Sequence, residues 1–406
     1  MRTKSGNLAA TGHWSGGFDE RGLQEWAEAT HDRMGQQPVT LGLVFMTPQF
    51  FNDAPQTLEI LRVHARVPLL VGCSSSSLIV GHEELEESPG LVLGLYNLPG
   101  AKLKALHFTP TQAEDASGPG FWPLETGVRR DQTNGWLVFA DPFHMDGEAW
   151  LEGWNEAYAP TPVVGGLAGG DSKDQRTQVY LNGDVWEEGG VAVSIGGDVT
   201  LESVISQGCT PIGETWTITK ADGNLIHEIG NRPAYQVLAE TFNALSPEQQ
   251  KRAQGNMLVG LVINEYQEEF HRGDFLVRSL LGGDPTSGIL AVGARPRAGQ
   301  SVRFQCRDAA AATEDMVLLL ERARKQMGDR PVYGACLCCC NGRGQRLFGT
   351  PSHDATLAQQ HVGPVGLTGF FCNGEIGPVG DRSFLHGYTA SLALFVKKEP
   401  GSDDPK

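Results

Sequence analysis

The pattern of apolar and polar positions changes period repeatedly along this chain. Short apolar runs at 43–45, 67–72 and 90–95 have the length of buried strands. Between the first two, Leu58, Leu61 and Ala65 recur at helical spacing, with Asp53 placed as an N-cap and Pro55 in the first turn. The same order of patterns then returns. LVF at 43–45 recurs as LVF at 137–139, and VPLLVG at 67–72 as TPVVGG at 161–166, both at an offset of 94. GLVLGL at 90–95 recurs as GVAVSI at 190–195, offset by 100 behind a longer connection. Each copy reads strand, helix, strand ending in Gly and small residues, then a hairpin. Duplication therefore predicts one topology for 40–110 and 135–206. A fainter third version runs through PVYGACLCCC (331–340), DATLAQQHV (354–362), PVGLTGFFC (364–372) and TASLALFV (389–396).

Between the second and third versions, ETWTITKADGNLIHEI (214–229) reads as a hairpin turning at Asp222-Gly223. Asn231 is expected to cap a helix that carries Pro233 in its first turn and runs to about Leu245. Four strands follow: MLVGLVINE, FLVRSLLGGD, GILAVGA and SVRFQC. The clearest helix spans Ala309 to Met327, with Met316, Leu319, Leu320 and Ala323 on one stripe. The fold class is α/β (α+β): two domains of mixed, largely antiparallel sheets backed by helices, with internal duplication. Gly-rich apolar strands suggest burial on both faces, hence helix–sheet–sheet–helix layers. The expected layout is a flexible N-terminus at 1–20, a first domain at 21–210, a second at 211–396 and a disordered tail at 397–406. The division should fall near 205–230.

Composition narrows the function. Among 406 residues, 48 acidic against 32 basic side chains give a formal net charge of −16, which disfavours a nucleic-acid partner. No apolar run approaches the ~18–20 residues of a membrane helix, and the N-terminus lacks a secretory core, so the expectation is a cytoplasmic protein off the membrane. Eight cysteines are few for this length and read as reduced thiols rather than a disulfide framework.

Candidate chemistry gathers at strand ends. Gly72, Cys73, Ser74 and Ser75 follow an apolar strand and offer amides and hydroxyls to an anionic or zwitterionic ligand, or simply a polar turn. Gly169 and Asp171 occupy the equivalent place in the second copy. Cys336, Cys338 and Cys340 alternate with Cys339 on one strand, which suits core packing better than zinc, so no metal and no cofactor are expected. Cys340 precedes Asn341-Gly342-Arg343 at a strand end, where a nearby Arg lowers a thiol pKa. Cys372, Asn373 and Glu375 crowd the end of the next strand, with His386 downstream; the readings are a binding pocket, a structural turn in which Glu375 pairs with Arg343, or a Cys–His catalytic pair. Arg278 lies on an otherwise apolar strand and needs a partner, either an acid such as Glu375 or a ligand carboxylate. His82 among glutamates reads as a solvated hairpin tip, and Asp141 and Asp146 near His144 as capping residues.

The stretches FLVRSLLGGDPTSGILAVG, CCNGRGQRLFG and GFFCNGEIGPVGDRSFLHGYTASLALF resemble the C-terminal domain of the FIST family, and VPLLVGCSSSSLIVG with TPVVGGLAGGD resembles its N-terminal domain. That resemblance implies a sensory protein that binds a small ligand such as an amino acid, without turnover, and signals through a separate output partner. The ligand set it suggests is Gly72, Cys73, Ser74, Ser75, Gly169, Asp171, Arg278, Asn341, Arg343, Asn373, Glu375 and His386. The alternatives are a hydrolase or transferase using Cys340 or Cys372 with His386, and a protein-binding adaptor.

Overall fold

The computed structural model describes residues 8–170, 173, 175–267, 269–270 and 273–399. Strands β1 (Ala9–Ser15), β2 (Leu41–Met46), β3 (Leu70–Ser74), β4 (Leu78–Val80), β5 (Glu83–Leu85) and β6 (Gly90–Tyr96) form a first run. A second run repeats it: β7 (Ala101–Phe108), β8 (Gly135–Ala140), β9 (Val163–Leu167), β10 (Val179–Leu181), β11 (Asp184–Trp186) and β12 (Gly190–Gly197). The third opens with β13 (Val199–Ser206) and is then interrupted. The interruption holds β14 (Cys209–Pro211), β15 (Trp216–Asp222), β16 (Leu225–Ile229), β17 (Arg232–Pro233), β18 (Met257–Val262), β19 (Phe275–Gly283), β20 (Leu290–Val292) and β21 (Ser301–Arg307). The run resumes with β22 (Val332–Cys340), β23 (Leu367–Cys372), β24 (Glu375–Val379), β25 (Arg382–His386) and β26 (Ala390–Lys397).

Two compact units follow this order. One holds Met1–Ile205 with Val317–Lys406, the other Ser206–Met316. The first border lies at the edge of the expected window; a second falls inside the helix Ala309–Met327. The third version of the repeat thus belongs with the first two, and the second unit is an insertion into it. Residues 9–15, expected to be flexible, instead pair antiparallel with β6 as an edge strand.

In the larger unit each repeat supplies one parallel pair, β2–β3, β8–β9 or β22–β23, bridged by the helices Ala54–His64, Gly147–Tyr158 and His353–Val362. The sheet orders are β1-β6-β2-β3-β10-β11, β7-β12-β8-β9-β24-β25 and β13-β26-β22-β23-β4-β5. Each sheet is completed by a hairpin from another repeat: β10–β11 closes the first, β24–β25 the second and β4–β5 the third. The three inner faces share one core, and Phe45, Phe139 and Phe370 meet there with ring centroids 5.2, 4.6 and 5.6 Å apart. Where β2 and β8 carry Phe45 and Phe139 opposite Cys73 and Gly166, the third pair sets Cys338 opposite Phe370, so the ring changes strand while the core stays filled. The outer face of the first sheet is covered by helices Glu20–Asp32 and Ala54–His64, through Leu23, Ala27, Leu58 and Leu61. A Trp-rich cluster of Trp122, Trp136, Trp150 and Trp154 covers that of the second. The mixed α/β class is as expected, but the layering is not two sheets face to face: three sheets of the larger unit share one core, with helices over the outer faces of the first two.

Register shows why these strands carry glycine at their third position. Gly72 sits opposite Val44, Gly165 opposite Val138 and Gly369 opposite Leu337. A Cβ at these glycines would lie 1.7, 1.8 and 1.9 Å from the partner's carbonyl oxygen. Gly165, not Gly166, is the true counterpart of Gly72, one residue earlier than the fixed offset places it.

In the smaller unit, β21-β15-β16-β20-β19-β18 close into a ring through the β18–β21 pairing, around Ile218, Ile226, Val259, Leu290 and Phe304. Asn231 does not cap the next helix. It adopts a left-handed φ of 59° in the turn before β17, and the helix Ala234–Asn243 begins after Pro233. Among the described residues no helix is long and apolar enough to cross a membrane.

Replacing Gly72 or Gly369 by Ala is expected to destabilise the chain by at least ~3 kcal/mol, since backbone rather than a mobile side chain blocks the new methyl. Gly282→Ala, where nothing lies within 4 Å, is the control and should change little. Urea unfolding midpoints give the comparison; equal effects at all three sites would refute the close-approach account.

Candidate functional site

The carboxyl ends of β3, β9 and β23 finish side by side, which brings together three motifs far apart in the sequence. Ser75 Oγ lies 2.6 Å from the Phe371 carbonyl. Ser74 Oγ donates to the Gly169 carbonyl at 2.7 Å, and the Gly169 amide donates back to the Ser74 carbonyl at 2.9 Å. Asn373 closes the ring: its amide donates to Leu167 O and its Nδ2 to Ala168 O, both at 3.1 Å. A Cβ at Gly169 would lie 3.2–3.4 Å from Ser75, Ser76 and Phe371, so the bare position lets the three turns pack closely. Ser76, Asn341 and Asn373 are exposed on this face, and Asn341 Nδ2 donates to Asn373 Oδ1 at 2.8 Å. Asp171 lies outside the described residues.

Beneath the ring sits Glu375, fully buried. Its Oε2 accepts from the Thr389 amide at 2.9 Å, and its Oε1 lies 3.2 Å from Cys372 Sγ. The Cys340 thiol also bonds to this carboxyl. Loss of hydration outweighs these donors and pushes Glu375 up to about 8, so the group is largely protonated at neutral pH. Burial, then the Glu375 charge, drives the Cys372 thiol well up. Cys73 is likewise raised by burial and packs in the shared core. His386 faces Glu375 across the β24–β25 pair, with Nε2 3.0 Å from the Gly377 carbonyl.

Arg343 has a different partner from the expected one. It is fully buried and binds Asp354 bidentately, Nε to Oδ2 at 2.6 Å and NH2 to Oδ1 at 2.9 Å. Burial alone would raise Asp354, but the guanidinium charge, its hydrogen bonds and His353 Nδ1 at 3.0 Å hold it well below the usual carboxylate range. Arg343 and Glu375 thus interact through charge, while the close pair is Arg343–Asp354. Arg278 lies on β19 in the smaller unit, with NH1 donating to Val277 O at 3.2 Å, whereas the other candidates belong to the larger one.

Sequence reasoning missed Asp354, which stands in the first turn of the short helix His353–Val362, and Thr389, whose contribution is a backbone amide. It also missed Glu84. The hairpin tip beside His82 forms as expected, but Glu84 is only 6% exposed, and its Oε1 accepts from the Ala355 amide at 2.8 Å. Burial, then the charge of Asp354, pushes it up to about 7. Asp146 caps the helix Gly147–Tyr158, accepting from the amides of Glu148 and Ala149, whereas Asp141 holds the turn before it, accepting from the amides of Phe143 and His144 at 3.1 and 2.7 Å. Among the described residues no group of three or more His, Cys, Asp or Glu is placed to hold a metal ion.

Residues 40–232 match the family model of the FIST N domain and residues 234–378 that of the FIST C domain. Over 372 residues the chain is 37% identical to an uncharacterised protein of Mycobacterium tuberculosis, covering 91% of this chain and 94% of the relative. An uncharacterised protein of Mycobacterium bovis is 35% identical over 374 residues, covering 92% and 94%. A solved cyanuric acid hydrolase spans 97% of this chain and 100% of its own at 10% identity, but with a TM-score of 0.32 that likeness carries no argument about fold or activity.

Asp354→Ala strands a buried guanidinium and should cost about 3–5 kcal/mol in urea unfolding, whereas Arg343→Met with Asp354→Leu should recover most of that loss. A double variant no better than the single would show that the pair's packing, not its charge balance, matters there. For Glu375, the folded chain holds a proton that the unfolded chain releases above its ordinary 4.5. Its contribution to stability therefore falls as the pH rises from 4.5 to about 8. Glu375→Gln should remove that part of the decline, so the variant gains melting temperature over the parent as pH rises across the window. A constant difference between the two would show that the carboxyl is not held protonated.

Proposed function

The chain belongs to the FIST family, whose domains are associated with sensory and signal-transduction roles, and on that premise we propose that it is a cytoplasmic sensory protein binding a small polar metabolite, without chemical turnover, over the ring of strand ends. An amino acid is the first ligand class to test. The observation that supports this reading is the meeting of Ser74–Ser75, Gly169 and Asn373 on one face, with the exposed amides of Asn341 and Asn373 above the buried Glu375. Amides and hydroxyls in such a ring suit the carboxylate and polar groups of a zwitterion. Glu375 supplies a carboxyl for the ammonium, at the cost of releasing its proton. Arg343, held by Asp354, acts as a structural support rather than as the carboxylate receptor. Output passes to a separate signalling protein. The Cys–His reading draws less support, because burial keeps Cys372 in its thiol form and His386 Nε2 is engaged by a backbone carbonyl.

A thermal-shift screen of amino acids and related metabolites tests the ligand class, since a ligand at 100-fold its Kd adds about 2.7 kcal/mol. Asn373→Ala, which also loses its bonds to Ala168 O and Asn341, should lower the ligand-free melting temperature slightly and weaken the hit roughly tenfold, equivalent to ~1.4 kcal/mol. Calorimetry in buffers of differing ionisation enthalpy should record proton release on binding at neutral pH. If no metabolite of this class shifts the transition, or if binding ignores Asn373, the proposed site is wrong.

A further inference from the structure

We propose that Cys340 and Cys372 are a redox-active dithiol, in which a small hydroperoxide oxidises Cys340 and Cys372 then closes a disulfide across the ends of β22 and β23. This does not depend on the ligand-binding reading. The two residues end adjacent parallel strands and are register partners, so their side chains leave the sheet on the same face. Paired strands run ~4.8 Å apart, inside the ~4.4–6.8 Å range of Cα separations that a disulfide spans. Cys340 is partly exposed, and the other seven cysteines are buried, so a small oxidant meets Cys340 first. The Gly342 amide donates to Cys340 Sγ at 3.4 Å, an interaction that favours the thiolate. Cys372 has Glu375 Oε1 at 3.2 Å, which places a carboxyl against the buried sulfur; the ionised fraction of that carboxyl, growing as the pH approaches about 8, is the proton acceptor. Cys336, Cys338 and Cys339 sit within β22, where neighbours on one strand are poorly placed to bridge.

The chemistry closes without a further reactant. The Cys340 thiolate attacks a peroxide oxygen, the O–O bond breaks, and Cys340 becomes a sulfenic acid while the other oxygen leaves as water or an alcohol. Cys372 passes its proton to the ionised form of Glu375 and attacks the Cys340 sulfur. The S–O bond breaks, and the departing hydroxide takes the proton as water. Two thiols have been oxidised by two electrons and one peroxide reduced. Closure also strips Glu375 of two S–H donors, so oxidation alters the environment of the buried acid.

The test exposes the full chain to hydrogen peroxide, blocks remaining thiols with iodoacetamide and maps unreduced peptides by mass spectrometry. The expected product is a peptide pair linked Cys340–Cys372. In Cys372→Ser, Cys340 should stop at the sulfenic acid and be trapped by dimedone; in Cys340→Ser, Cys372 should resist oxidation. Glu375→Gln should slow closure by at least about tenfold while dimedone trapping of Cys340 rises. The unsubstituted protein decides the matter even where a variant fails to fold. Linkage of Cys340 to another cysteine, its passage to sulfinic acid without linkage, or its recovery unreacted would each overturn the proposal.

Discussion

A parallel strand pair leaves one edge of backbone amides and carbonyls without partners, and in the larger unit that edge is always satisfied by a hairpin from a different repeat. The rest of the arrangement depends on this exchange. Because β4 and β24 begin only a few residues after the end of their own parallel pairs, crossing to the neighbouring sheet draws those strand ends together, and the loops at the strand ends become mutual hydrogen-bond partners. The ring of Ser74, Gly169 and Asn373 follows from how the sheets are completed. The bare positions at Gly72, Gly165 and Gly369 serve the same end, since they let the parallel strands approach where the sheets converge.

Two carboxyls of the third repeat show how nearby burial gives opposite charge states. Asp354 has a bidentate guanidinium and stays ionised; Glu375 has an amide and thiols, which do not offset the lost hydration, and keeps its proton. The local interior therefore holds one balanced ion pair and one neutral acid. A ligand or a chemical change at the strand ends meets a group whose proton is already poised near the pH of a cell.

Much of this was legible in the sequence and part was not, for identifiable reasons. The duplication showed because LVF and the glycine-bearing strands recur where every side chain is buried, which restricts residue choice. The third copy was faint because its central aromatic moved from the first strand to Phe370 on the second, leaving cysteines where the other copies have LVF. Its membership of the larger unit was hidden by the inserted barrel, since linear order says nothing about which segments share a sheet. Strand ends could be named as the candidate site from Gly, Ser and Asn usage. The partner of Arg343 could not, because several acids lie within reach in sequence and only the turn of the helix at 353–362 selects Asp354. Glu84 looked solvated among its acidic neighbours because nothing local signals that its hairpin docks on a distant helix.

The exchange of hairpins also bears on how the chain is made. As it leaves the ribosome, β9 lacks the partner at its free edge until β24 emerges, and β4 waits for β23. The barrel of Ser206–Met316 is synthesised during that wait, and at ~5–20 residues per second it lengthens the delay by roughly 5–20 s. For that interval two apolar strand edges have no native neighbour, which is when such edges pair with the wrong chain. The nascent chain thus carries two unpaired apolar edges until its last repeat appears.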